Sequence, residues 1–108
     1  MLRTKKQRED LCADCPVARV ADLLGDACSL LVVRDLLDGP RRFGHLDESL
    51  GMSTRTLTKT LRRLERRGLV ARTALKRLPP YVEYRLTSQG RALRKVVDEM
   101  RTYGKKYL

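Results

Sequence analysis

Residues 53–67 read Ser-Thr-Arg-Thr-Leu-Thr-Lys-Thr-Leu-Arg-Arg-Leu-Glu-Arg-Arg, and a helix over them has two faces that cannot share one environment. At about 100° per residue, Leu57, Leu61 and Leu64 fall on one narrow stripe. Arg55, Lys59, Arg62 and Arg66 fall within about 60° of one another on the opposite side. The leucines are expected to bury and the cations to remain in water. Ser53 and Thr54 open the segment and Thr58 follows a turn later, where a helix entering a DNA major groove needs donors. A charge run is more often a solvated helix face and nothing else, so the reading turns on the rest of the chain.

At 108 residues the chain is one small domain with a modest core, marginal enough that a partner subunit could matter. Its 24 Lys+Arg against 13 Asp+Glu give +11, and the charge is unevenly placed. Residues 41–77 hold eleven basic and three acidic residues, so most of the excess sits on one helix and its flanks. A block of that kind is an electrostatic footprint for a polyanion. No apolar run approaches the roughly 20 residues that span a bilayer, so no membrane partner is expected. The first ten residues are basic without an apolar stretch behind them, unlike a secretory signal. Three cysteines, an odd count, do not suggest a disulfide framework and point to a reducing cytoplasm. With one Phe, four Tyr and no Trp, stacking on unpaired bases is poorly supported.

Along the chain, residues 1–10 are expected to form a flexible basic arm and 11–108 a single domain. Val17, Val20, Ala21 and Leu24 have helical spacing, stopped by Gly25. A second helix is expected from about Cys28 to Leu37, ended by Gly39-Pro40. Phe43 and Leu46 anchor a short third helix ending near Leu50-Gly51. Ser53 caps the fourth and Gly68 closes it at a left-handed position. Leu69–Thr73 and Tyr81–Leu86 read as a hairpin with a basic tip, Lys76-Arg77, stiffened by Pro79-Pro80. Thr87 or Ser88 caps a last helix carrying Leu93, Val96, Val97, Met100, Tyr103 and Tyr107 on one side. The expected fold is mainly α with a small β-hairpin, a winged helix-turn-helix closed by a C-terminal dimerisation helix.

Several words in order carry a resemblance to a known family: Cys15-Pro16-Val17-Ala18-Arg19, Ser29-Leu30-Leu31, Arg34-Asp35-Leu36-Leu37-Asp38-Gly39-Pro40-Arg41-Arg42-Phe43-Gly44, Leu57-Thr58, Leu61-Arg62, Leu64-Glu65, Gly68-Leu69-Val70, Pro79-Pro80-Tyr81-Val82-Glu83-Tyr84, and Leu86-Thr87 before Gly90. Over roughly residues 12–103 the chain resembles the HxlR family of bacterial winged-helix transcription regulators. The resemblance implies a cytoplasmic homodimer that binds specific DNA sequences. It also implies that some members sense oxidants or electrophiles through the cysteine of the Cys-Pro word. Cys28 stands where the family usually has Trp, and Lys76-Arg77 where it often has Pro-Glu.

Arg55 matches the family's basic position early in the recognition helix and is the best candidate for a bidentate contact to guanine, with Lys59 next. Thr54, Thr56 and Thr58, with Ser53, are candidates for phosphate or base or for plain helix surface, between which the residues do not choose, and Arg62, Arg63 and Arg66 are candidates for backbone phosphate. Arg41 and Arg42 are candidate phosphate clamps, and Lys76 and Arg77 can reach phosphate or a minor groove. The last helix has more apolar surface than one small core can use. Leu93, Val96, Val97, Met100 and Tyr103, joined by Val17 and Val20 of the first helix, form the expected dimer interface.

Cys12 and Cys15 form a Cys-x-x-Cys word. With Cys28 and His45 they could supply four zinc ligands, but real sites usually show a second close pair, so no metal or other cofactor is expected. Cys28 reads as a small core residue and His45 as helix surface. The family match makes Cys15 a candidate redox switch: it precedes a helix N-terminus, with Arg19 one turn in, and Cys12 could resolve a sulfenic acid. A small-molecule or redox effector is possible but unidentified by the residues. An enzyme finds no support, for there is no phosphate loop or nucleophile elbow, and Asp35 and Asp38 beside Arg34 read as a solvated helix face. The remaining alternative is a non-specific or architectural nucleic-acid-binding winged-helix protein.

Overall fold

Residues 15–76 and 81–108 are described by a computed structural model. The first helix, α1 (Pro16–Leu24), opens with proline, whose missing N–H would have had no partner in a first turn. α2 (Ala27–Leu36) follows after a two-residue turn, and Asp26 caps it by accepting from the Ser29 N–H at 2.9 Å. After the short strand β1 (Arg41–Arg42) come α3 (Phe43–Leu50) and α4 (Thr54–Arg66). Strands β2 (Val70–Leu75) and β3 (Tyr81–Leu86), then helices α5 (Ser88–Arg91) and α6 (Arg94–Tyr107), complete the order. The expected basic arm, residues 1–10, lies outside the described residues, as do Cys12 and Arg77.

The core forms where α2, α3 and α4 meet the base of the sheet. Val32, Val33, Leu46, Leu57, Leu64 and Leu69 have no exposed surface, and Leu61 keeps only 1%. Leu36, Val70 and Leu86 extend the same cluster. The α3–α4 turn places Gly51 at φ 63°, a left-handed conformation that costs glycine nothing because it has no Cβ. Asp35, expected as part of a solvated face, instead holds α3 against α2. Its side chain is only 13% exposed and accepts from Ser49 Oγ at 2.6 Å as well as from Arg34. The hydrogen bond to a helix two elements away draws the carboxylate inward.

The sheet departs from a simple hairpin. Its order is β1-β3-β2, all antiparallel, with Arg41 opposite Tyr84 and Arg42 opposite Glu83. Two residues have no periodicity, so β1 leaves no trace in the sequence pattern. β2 begins one residue later than expected because Leu69 is used to end α4. Its N–H donates to Leu64 O while the Gly68 N–H donates to Glu65 O, both at 3.0 Å. This paired closure requires Gly68 at φ 76°.

The expected single last helix is two. Thr87 accepts from the Gly90 N–H at 3.2 Å and donates to Gly68 O at 2.6 Å, which starts α5 against the end of α4. Gly90 lies so close to Leu69 that a Cβ there would strike the Leu69 carbonyl oxygen and the Leu86 side chain. A new helix then begins at Arg94, whose guanidinium donates to Leu37 O at 2.6 Å. The break lets Leu93 and Val97 turn into the core, where both are buried.

Two glycine substitutions should behave oppositely in urea unfolding. Gly90→Ala forces backbone apart and is expected to cost about 1–3 kcal/mol. Gly44→Ala adds a Cβ into open space within a helix and is expected to stabilise by up to about 1 kcal/mol.

Candidate nucleic-acid interface

The amphipathic conflict in α4 resolves as its two stripes require. Leu57, Leu61 and Leu64 are buried, joined by Thr60 at 7% exposure, while Arg55, Lys59, Arg62 and Arg66 are all exposed. Among the described residues none of these four cations is paired with a carboxylate; the ion pairs are Arg34–Asp35 and Arg101–Asp98, elsewhere on the molecule. An unpaired row of guanidinium and ammonium groups on one rigid rod retains its full capacity for an external anion.

The hydroxyls at the start of α4 divide into two roles. Ser53 is the cap: its Oγ accepts from the Thr56 N–H at 3.1 Å and donates to Thr56 Oγ1 at 2.9 Å. Thr58 donates to Thr54 O at 2.8 Å within its own helix. Both protons are therefore committed internally, leaving only acceptor lone pairs, which a phosphate oxygen cannot use. Thr54 is exposed and its hydroxyl has no partner among the described residues, so its proton is available beside Arg55.

Arg63 is the sequence expectation the structure corrects. Grouped with Arg62 and Arg66 as a phosphate contact, it lies about 80° from Arg55 around the helix, on the border between the two faces. The guanidinium turns inward and donates to Leu24 O, Ser29 Oγ, Asp22 O and Leu23 O at 2.8–3.0 Å. Backbone carbonyls at a helix end attract a cation as phosphate does, and sequence spacing alone does not separate the two.

The wing adds cations that the sheet register organises. Arg42 stacks on the Tyr81 ring, its Cζ 3.4 Å from the centroid, so β1 and β3 are joined by a cation–π contact as well as by hydrogen bonds. Arg41, Tyr84 and Arg72 fall in one cross-strand row, which puts two exposed arginines on either side of a half-buried tyrosine. Arg72 is absent from the sequence-based candidates. Val70–Leu75 has no polar–apolar alternation, so only the pairing of β2 with β3 reveals its place. Lys76 is exposed at the end of β2.

Cys15 is exposed and occupies the N-cap position of α1, with its carbonyl accepting from the Arg19 N–H at 3.1 Å. Cys28 is partly buried in the first turn of α2, and His45 is exposed on α3. Among the described residues no group of three or more His, Cys, Asp and Glu side chains is placed to hold a metal ion. Nor, among them, is any helix long and apolar enough to cross a membrane.

The expected dimer residues separate into two sets. Leu93 and Val97 are buried in the chain's own core and Val20 packs against it. Val17 is 78% exposed on α1, and Val96, Met100, Tyr103 and Tyr107 are exposed along α6, with the two tyrosine rings 4.9 Å apart.

Comparison with known proteins agrees with this geometry. A family model described as HxlR-like helix-turn-helix matches residues 23–108. The chain is similar to the HTH-type transcriptional regulator sll1512 of Synechocystis, with 44% identity over 95 residues, covering 87% of this chain and 70% of that protein. It is similar in structure to the redox regulator HypR in its oxidised form, with 34% identity and a TM-score of 0.80, covering 87% of this chain and 98% of that one. It is also similar to the reduced form of the transcriptional regulator YodB from Bacillus subtilis, with 35% identity and a TM-score of 0.75, covering 86% and 93% of the two chains.

The division among the hydroxyls has a measurable consequence. Ser53→Ala is expected to lower stability by about 1 kcal/mol in urea unfolding through loss of the cap. The same variant should leave the slope of log affinity for duplex DNA against log salt unchanged, whereas Arg72→Ala should reduce its magnitude by about 1.

Proposed function

The chain belongs to the HxlR-like helix-turn-helix family and is a DNA-binding transcriptional regulator, and from that premise we propose that it acts in the cytoplasm as a homodimer reading a two-fold operator. The observation that carries the proposal is the exposed, unpaired row Arg55, Lys59, Arg62 and Arg66 opposite a fully buried leucine stripe. In this reading α4 enters the major groove by its N-terminal end. Arg55 reads guanine through its two parallel donors, and Lys59 and Thr54 lie beside it. Arg62 and Arg66, further along, meet phosphate. Arg41, Arg42, Arg72 and Lys76 on and beside the wing strands, together with Arg77, meet the flanking backbone or minor groove. Ser53 and Thr58 serve the same site indirectly, by fixing the start of the helix.

Dimerisation is supported by the apolar face that the fold leaves uncovered, Val17 on α1 with Val96, Met100, Tyr103 and Tyr107 on α6. A second copy on this face would give the two-fold symmetry that operator binding needs, with two recognition helices about one DNA turn, ~34 Å, apart. Light scattering at micromolar concentration should give the mass of two chains.

Effector sensing is proposed at Cys15. Its thiol is exposed at the start of α1, and the similarity to HypR, described as a redox regulator, supports the reading. A peroxide would convert the thiol to a sulfenic acid with release of water or alcohol. The Cys12 thiol would then condense with it to a disulfide, releasing water. Diamide should change operator affinity of the wild type but not of Cys15→Ser, and an equal response in both would remove Cys15 from the mechanism.

The DNA reading is tested by affinity for the chain's own operator against random duplex at about 0.15 M salt, where unspecific contacts alone give a ratio near one. Arg55→Ala is expected to lose about 1–3 kcal/mol of discrimination, and Arg66→Ala to weaken both duplexes alike. A ratio near one for the wild type would make the chain an architectural DNA-binding protein instead.

A further inference from the structure

The clasp made by Arg63 joins the recognition helix directly to α1. One nitrogen of the guanidinium donates to Leu24 O at 2.8 Å and Ser29 Oγ at 2.9 Å. The other donates to Asp22 O at 2.9 Å and Leu23 O at 3.0 Å. Three of the four acceptors are the carbonyls of the last three residues of α1, which lie at the negative end of its dipole. The fourth belongs to Ser29, 1% exposed, whose N–H is already held by the α2 cap Asp26. One planar cation therefore joins the end of α1, the start of α2 and the last turn of α4.

The backbone around the clasp is fitted to it. Gly25 adopts φ 78°, and a Cβ at that position would overlap the Arg63 guanidinium. Glycine here gives both the turn and the space into which the arginine reaches. Lysine could not replace the arrangement, since a single ammonium on a flexible stem lacks the fixed fork that addresses four acceptors at once.

We propose that Arg63 is a positioning residue for operator spacing: it welds the recognition helix to α1 and so fixes the separation of the two recognition helices in the dimer. The proposal rests on the reading above, in which α1 contributes Val17 to the interface. In a two-fold protein, half-site separation is set by the vector from the interface elements to α4. α1 packs chiefly on α2 and seats Leu24 in the shared core, so without the clasp its orientation relative to α4 rests on apolar packing alone, which fixes direction less sharply than four hydrogen bonds. A one-base-pair change in half-site separation moves the second site by about 3.4 Å and rotates it by about 35°. A rigid dimer tolerates neither, whereas a loosened one tolerates both. Arg63 thus acts on specificity without touching DNA.

The test uses the full chain and duplexes carrying two copies of its selected half-site at the native separation and at separations one and two base pairs longer and shorter, together with a single half-site. The wild type is expected to prefer the native separation by about tenfold or more over a one-base-pair change. Arg63→Met is expected to compress that preference to about threefold or less, with single half-site affinity and salt slope unchanged, and Arg63→Lys to fall between. Should Arg63→Met unfold at the assay temperature, Ser29→Ala removes one acceptor alone and should broaden the profile in the same direction. A dimeric Arg63→Met that keeps the wild-type profile, or loses affinity by one factor at every separation and at the single half-site, overturns the proposal. A monomeric wild type in light scattering overturns the dimer reading and this proposal with it.

Discussion

Burial of Leu57, Leu61 and Leu64 in one α4 stripe is the constraint on which the rest of the structure depends. Each leucine removed from water contributes about 1.5–3 kcal/mol, far more than any single exposed charge contact. Thr60 shares the buried side, and Val32 of α2, Leu46 of α3 and Leu69 of the turn after α4 are buried in the same cluster as the leucines. With that side fixed, rotation of α4 about its axis is no longer free. Arg55, Lys59, Arg62 and Arg66 must face outward, whatever their mutual repulsion costs. The charge of the chain is thereby turned into a surface feature with a direction.

The same rod is held at its ends and flanks by polar contacts that address backbone rather than charge. Ser53 caps its start, Gly68 and Leu69 close its end, and Arg63 grips the terminal carbonyls of α1. The sheet is fastened below it by Thr87, which binds Gly68 O while starting α5. Two arginines of neighbouring sequence thus serve different ends: Arg62 is exposed and free for phosphate, and Arg63 is consumed in structure. The molecule separates positioning from recognition at single-residue resolution.

Much of this is legible in the residues alone. The buried and cationic faces of α4, the Ser53 cap, the stops at Gly25, Gly51 and Gly68, and the wing strands follow from local chemistry that the sequence displays. The features that escape it depend on distant partners. β1 exists because Arg41 and Arg42 pair with β3, not because two residues prefer extended backbone. The break after α5 answers to the approach of Gly90 to Leu69, and the inward turn of Asp35 to Ser49, fourteen positions away. Arg63 sits on the boundary of a helical wheel, where periodicity does not assign a face and the carbonyls at the end of α1 decide. For the candidate site, the cationic row is readable in full. The engagement of Ser53 and Thr58 in their own helix is not, nor is the place of Arg72 beside Tyr84.

The most direct measurement of the central claim is amide NMR of the free chain titrated with an operator duplex. Perturbations are expected to concentrate on α4 from Thr54 to Arg66 and on the wing strands, with α6 and the buried leucines little changed apart from small propagated shifts. A titration in which α4 stays silent while another face of the molecule responds would contradict the account, because the outward guanidinium row would then have no part in binding DNA.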